Sequence, residues 1–109
     1  MVKRIIAIFL ALYSIPVWSH LFSSDYEVAL KKVIIDPGHG GKDPGNLGTG
    51  RYNLKEKDIA LDVALKLGAY INEHLPDVEV IYTRENDVFP ALYERTALAN
   101  NEKADLFIS

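Results

Sequence analysis

The chain has 109 residues, 49% of them apolar, with a formal net charge of -3 and acids and bases mixed along its length. That length allows one small domain at most, and no basic patch points to a nucleic-acid partner. There is no cysteine, which excludes a disulfide framework, a thiolate metal site and a Cys nucleophile. Any metal must be held by His, Asp or Glu, so His20, His39 and His74 carry unusual weight.

The N-terminus has the layout of an address. Lys3 and Arg4 precede an apolar run from Ile5 to Val17, broken by Ser14 and Pro16, with Val17-Trp18-Ser19 ahead of His20. This predicts a secretory signal peptide over 1–19, cut before His20. The run falls short of the roughly 20 apolar residues of a comfortable membrane span; an uncleaved anchor is the alternative. Removal of Lys3 and Arg4 would take the net charge to -3 - 2 = -5. Residues 20–30 form a polar lead-in.

From Lys31 the pattern becomes regular. Lys32 to Asp36 is a β-branched run that suits a strand buried on both faces of a sheet. A loop from Pro37 to Tyr52 then holds six of the chain's seven glycines; loops of this length and composition inside a compact domain are usually functional or disordered. Glu56 to about Leu75 reads as a helix, with Ala60, Val63, Ala64, Leu67 and Ile71 at helical spacing. Pro76 stops it. Val78 to Thr83 alternates and reads as a second strand. Pro90 is placed at the first position of a shorter helix, which ends near Asn100-Asn101. Ala104 to Ser109 reads as a third strand. The order predicts an α/β domain with a mainly parallel sheet and helices on both faces, truncated after its third strand.

In such sheets ligands bind beyond the carboxyl ends of the strands. His39 lies three residues after Asp36, with glycines on both sides that permit a sharp turn and leave the imidazole uncrowded. It is a candidate metal ligand, or simply a loop His at a strand end. Glu56 opens the long helix. Asn53-Leu54-Lys55-Glu56 matches a capping box with Asn53 at N-cap, so Glu56 serves the helix whether or not it binds anything. The glycine-rich loop matches neither the P-loop nor the dinucleotide pattern. His74 suits the negative end of a helix dipole. Arg84 and Arg95 are expected to pair locally with Glu85, Asp87 or Glu94. No Ser has the surroundings of a nucleophile elbow.

The segment Val33-Ile34-Ile35-Asp36-Pro37-Gly38-His39-Gly40-Gly41-Lys42-Asp43-Pro44-Gly45 resembles the opening motif of the zinc-dependent N-acetylmuramoyl-L-alanine amidases of the amidase 3 type. Glu56-Lys57-Asp58 resembles their second motif. Thr83-Arg84 with Asp87, Leu92 and Arg95 resembles their third, and Ala104 to Ser109 the strand leading to their fourth. The resemblance makes 31–109 the N-terminal half of an amidase catalytic domain. It implies Zn2+ held by His39 and Glu56, a further His just after Ser109, and a catalytic Glu further on. The implied substrate is the amide between N-acetylmuramic acid and L-alanine in peptidoglycan, met by an exported protein in the periplasm or cell envelope. Two His and one Glu with an open fourth position is a known catalytic zinc set. The only membrane contact expected is transient, through the leader; an activating protein partner is left open. The alternative function is a non-catalytic peptidoglycan-binding or regulatory module with the same fold.

Overall fold

The computed structural model describes residues 29–109. The expected signal peptide, its cleavage point at His20 and most of the lead-in lie outside the described residues. Five elements follow in order: β1 (Lys32–Ile35), α1 (Glu56–His74), β2 (Glu79–Tyr82), α2 (Leu92–Asn101) and β3 (Leu106–Ile108). The strands form one sheet in the order β2-β1-β3. Both pairings are parallel, with Ile34 opposite Ile81 on one side and Phe107 on the other.

That order explains the composition of β1. It is the central strand, so Val33, Ile34 and Ile35 are all buried, and Ile34 has no exposed surface. Alternate residues of a strand face opposite sides of the sheet. Val33 and Ile35 pack with Ala64 and Val78, backed by Leu67, Ile71 and Tyr82, while Ile34 fills the other face. The chain crosses from β1 to β2 in one direction and from β2 back to β3 in the other. Right-handed crossovers therefore place α1 and α2 on opposite faces. Gly68 allows α1 to approach β2 closely: a Cβ there would fall on the Tyr82 hydroxyl and ring.

The helix starts differ from the sequence expectation. α1 begins at Glu56 with Lys55 in the N-cap position, not Asn53. Its first N–H groups are taken by loop carbonyls: Glu56 N–H donates to Asn46 O at 2.9 Å and Lys57 N–H to Pro44 O at 3.2 Å. A side-chain cap is unnecessary when the loop folds back onto the helix end. α2 begins at Leu92, two residues past Pro90, because the Glu94 carboxylate accepts the Ala91 N–H at 2.7 Å and sets the start there.

Candidate functional site

The strand order reverses beside β1. In open α/β sheets a crevice forms there, beyond the carboxyl ends of the strands. The segment leaving β1 at this point is Asp36 to Gly45, and backbone geometry shapes it. His39 has φ 59°, a left-handed conformation uncommon outside glycine. Gly40 and Asp43 exchange two backbone hydrogen bonds, each 2.9 Å. The resulting tight turn brings Asp43 back beneath the His39 ring.

The imidazole lies between two carboxylates. Its Nδ1 is 2.9 Å from Asp43 Oδ2 and its Nε2 is 3.3 Å from Glu56 Oε1. Each carboxylate is itself held. Asp43 Oδ1 accepts the Gly45 N–H at 3.0 Å, and Glu56 Oε2 accepts the Asn46 N–H at 2.7 Å. The electrostatic consequences are mutual. The hydrogen bond to Asp43 raises the His39 pKa above its ordinary value against an opposing effect of desolvation. Asp43 is held below the usual carboxylate range, first by His39 and then by the Gly45 amide. Glu56 is lowered too, first by the Asn46 amide and then by the charge of His39.

Gly45 makes this approach possible. It has φ 63°. A Cβ there would lie 2.7 Å from Glu56 Oε2, 2.8 Å from Glu56 Cβ and 2.8 Å from His39 Cδ2. No side chain fits between the two residues.

Two arginines fix the loop from below. Arg84, at the end of β2, donates to Pro37 O at 2.9 Å, Gly38 O at 2.7 Å and Lys57 O at 2.9 Å. It thereby joins the residue before His39 to the residue after Glu56. Arg95, on α2, donates to Asp36 Oδ1 at 2.7 Å, Pro37 O at 2.9 Å and His39 O at 2.8 Å. Local pairing with Glu85 or Glu94 is thus not what these arginines do. Three successive loop carbonyls point inward with no strand to satisfy them, and the guanidinium forks do so instead. Lys57 provides a third tie, donating to Gly41 O at 3.0 Å and to both oxygens of Asp87 at 2.8 and 2.7 Å. Asp87 in turn accepts the Gly41 N–H at 2.7 Å, so its carboxyl is lowered, chiefly by Lys57. At the strand ends, Asp36 also accepts from the hydroxyls of Thr83 and Ser109.

The pair of ligand candidates stands between two hollows. Glu56 borders an apolar cavity of ≈ 610 Å³ lined by Leu54, Ile59, Val63 and Ile108 among others. His39 borders a smaller cleft of ≈ 290 Å³ with Asp43, Phe89, Arg95 and Ser109. Among the described residues, no group of three or more His, Asp or Glu is arranged to hold a metal. His74 lies apart from the site, stacked on Tyr70 at 3.9 Å with Nδ1 donating to Tyr70 O. Sequence reasoning brought forward His39 and Glu56 but not Asp43 or Asn46. The available signal for Asp43 was its position four residues after His39 across two glycines.

The described residues form an α/β domain with a parallel sheet, a glycine-rich loop leaving its central strand, and a His and a Glu converging at the switch point. Residues 33–109 match the family model of N-acetylmuramoyl-L-alanine amidase, Amidase_3, and the chain belongs to that family. It is 42% identical over 78 residues to a sporulation-specific N-acetylmuramoyl-L-alanine amidase of Bacillus subtilis, covering 72% of this chain and 29% of that protein. It is 40% identical over 77 residues to the N-acetylmuramoyl-L-alanine amidase AmiC of Escherichia coli, covering 71% of this chain and 18% of that one. Among solved structures it resembles the catalytic domain of the amidase CwlV from Bacillus (Paenibacillus) polymyxa, with TM-score 0.65 and 42% identity over 71% of this chain and 42% of that one. The amidase AmiC2 of Nostoc punctiforme is similar at TM-score 0.65 and 38% identity, covering 72% of this chain and 42% of the other. The chain thus spans under a third of the length of these two curated relatives.

Proposed function

We propose that this chain is part of a zinc-dependent hydrolase that cuts the amide between N-acetylmuramic acid and L-alanine in peptidoglycan, outside the cytoplasm. The observation that carries the metal assignment is the 3.3 Å separation of His39 Nε2 and Glu56 Oε1. Two donors each about 2.0–2.1 Å from one tetrahedral zinc stand about 3.3–3.4 Å apart. The donor types fit as well, since His and Glu are borderline and hard ligands suited to Zn2+. When bound, zinc would act as a Lewis acid on the amide carbonyl and lower the pKa of water.

The chain's own residues supply position. His39 and Glu56 are the residues that would hold the metal. The Asn46 amide occupies Glu56 Oε2 and leaves Oε1 free to bind. The inward ties of Arg84 and Arg95 keep both ligands on one rigid base, which a metal site of fixed geometry requires. The family resemblance implies a third protein ligand, a His, and a Glu that would shuttle a proton to the leaving nitrogen, neither of which is assigned to a residue of this chain. The solved relatives are longer, the chain covering 42% of each of them.

Export is supported by the pattern of residues 1–19, with its basic start, apolar run and no acid before Asp25. Among the described residues, no helix is long and apolar enough to cross a membrane.

The test is incubation of the intact protein with purified peptidoglycan and mass analysis of the soluble products. The proposal predicts stem peptides that begin with the free amine of L-alanine. Release of sugar fragments alone, or of peptides cut within the stem, would contradict it. Binding to the polymer without release of any product would favour the non-catalytic module.

A further inference from the structure

We propose that Asp43 is a positioning residue that fixes His39 in the Nδ1–H tautomer, so that the lone pair of Nε2 points at the space shared with Glu56. The proposal rests on the assignment of His39 and Glu56 as metal ligands.

The geometry is specific. An imidazole between two carboxylates has two neutral tautomers, and which one is present depends on the better acceptor. Asp43 Oδ2 lies 2.9 Å from Nδ1, within good hydrogen-bond range, while Glu56 Oε1 is 3.3 Å from Nε2. The Asp43 carboxylate is also oriented before any metal arrives. Its second oxygen takes the Gly45 N–H at 3.0 Å, and its backbone is locked to Gly40 by two bonds of 2.9 Å. Glu56 has one oxygen engaged by Asn46 at 2.7 Å, which holds that carboxylate in place without turning Oε1 into a competing acceptor at closer range. A ring nitrogen that donates to a carboxylate orients the ring and raises the basicity of the opposite nitrogen toward a metal. The free ring does not supply this arrangement; the left-handed turn at His39 and the two glycines after it do, by bringing residue 43 under residue 39.

Asp43 makes two hydrogen bonds, and they can be separated. A Ser at this position can still accept the amide N–H two residues on, as Ser does in turns, but its short hydroxyl falls short of the ring. An Asn has a single oxygen and cannot accept from both the Gly45 N–H and the Nδ1–H, so it does not separate the two bonds. The variants are therefore Asp43→Ser and Asp43→Ala in the intact protein, each checked for amide dispersion in the same spectra.

The first readout is the 15N shift pattern of the His39 ring in the metal-free protein, above the ring's titration. The wild type is expected to show the Nδ1–H tautomer. Asp43→Ser and Asp43→Ala are expected to move toward Nε2–H. The second readout is zinc affinity by chelator competition. Loss of such a partner typically weakens metal binding about 10–100-fold, so Asp43→Ser and Asp43→Ala should fall in that range together. If Asp43→Ser keeps both the wild-type tautomer and the wild-type affinity, Asp43 serves only the turn and the proposal is overturned. If the wild type itself holds the Nε2–H tautomer, the proposal is equally overturned. Failure of the metal assignment looks different: His39→Ala would then match the wild type in zinc affinity, whatever the tautomer spectra of the Asp43 variants.

Discussion

Arg95 and Asp36 form an ion pair of 2.7 Å in which both side chains are almost wholly buried, at 5% and 7% exposure. The pair joins α2 to the end of β1, directly beneath the loop that carries His39. Removing one partner leaves an uncompensated buried charge, which costs about 3–5 kcal/mol. Arg95→Met should therefore lower unfolding stability by about that amount, read from the denaturant midpoint. The exposed pair of Lys66 and Asp62 is a control, at the same 2.7 Å but with 74% and 62% of the side chains exposed. Lys66→Ala should change stability by no more than about 0.5 kcal/mol. Equal effects of the two substitutions would show that burial does not decide the matter.

Gly45 provides a test of the close approach between His39 and Glu56. Gly45→Ala places a methyl within 2.8 Å of both His39 and Glu56 in a left-handed conformation. Gly50 has φ 79° but nothing within 4 Å of its would-be Cβ, so Gly50→Ala carries only the left-handed penalty of about 1–2 kcal/mol. Zinc binding measured on both variants should fall about tenfold or more further for Gly45→Ala than for Gly50→Ala, and its thermal midpoint should fall further as well, since the methyl also meets Glu56 Cβ and the His39 ring. Equal zinc affinity would show that the two ligands can separate without cost.

Asp105 predicts part of the acid sensitivity of the fold. Its carboxylate accepts the N–H groups of Lys31 and Lys32 at 2.9 and 2.8 Å, binding the start of β3 to the start of β1. These amides, Lys31 first, hold its carboxyl below the usual carboxylate range. A group lowered by folding stabilises the native state above its unfolded pKa, and that contribution fades as pH falls through the folded value. Asp87 and Asp43 act in the same direction. Unfolding midpoints of the metal-free protein should decline below about pH 4, and Asp105→Asn should flatten that decline and lower the plateau above it. An unchanged acid limb in the variant would remove Asp105 from the explanation.

The leader is open to a direct check. N-terminal sequencing of exported protein should begin at or a few residues after His20. Recovery of Met1 on exported protein would indicate an anchor in place of a removable leader.

The sequence made the order of elements legible because each strand and helix has its own periodicity. Val33, Ile34 and Ile35 are apolar in succession because β1 is central and covered on both faces. The start of α1 at Glu56 was legible from the apolar spacing that follows it, but its cap was not. The caps are carbonyls of Asn46 and Pro44, and a backbone acceptor ten residues away leaves no mark in composition. The same reason hid the work of Arg84 and Arg95. Their partners are mostly carbonyls of the loop leaving β1, whereas sequence offers only nearby acids as visible partners. His39 and Glu56 stood out as residue types at a strand end and a helix start; that they converge depends on Gly45 and on the loop's return to α1, which only the folded chain displays.

The central claim is that His39 and Glu56 hold one zinc ion, and the most direct measurement is an anomalous-scattering map at the zinc edge from crystals of the intact protein. The account predicts a single strong peak about 2.0–2.2 Å from both His39 Nε2 and a Glu56 carboxylate oxygen. A zinc peak bound by neither residue, or no peak in protein with measured zinc content, would contradict it.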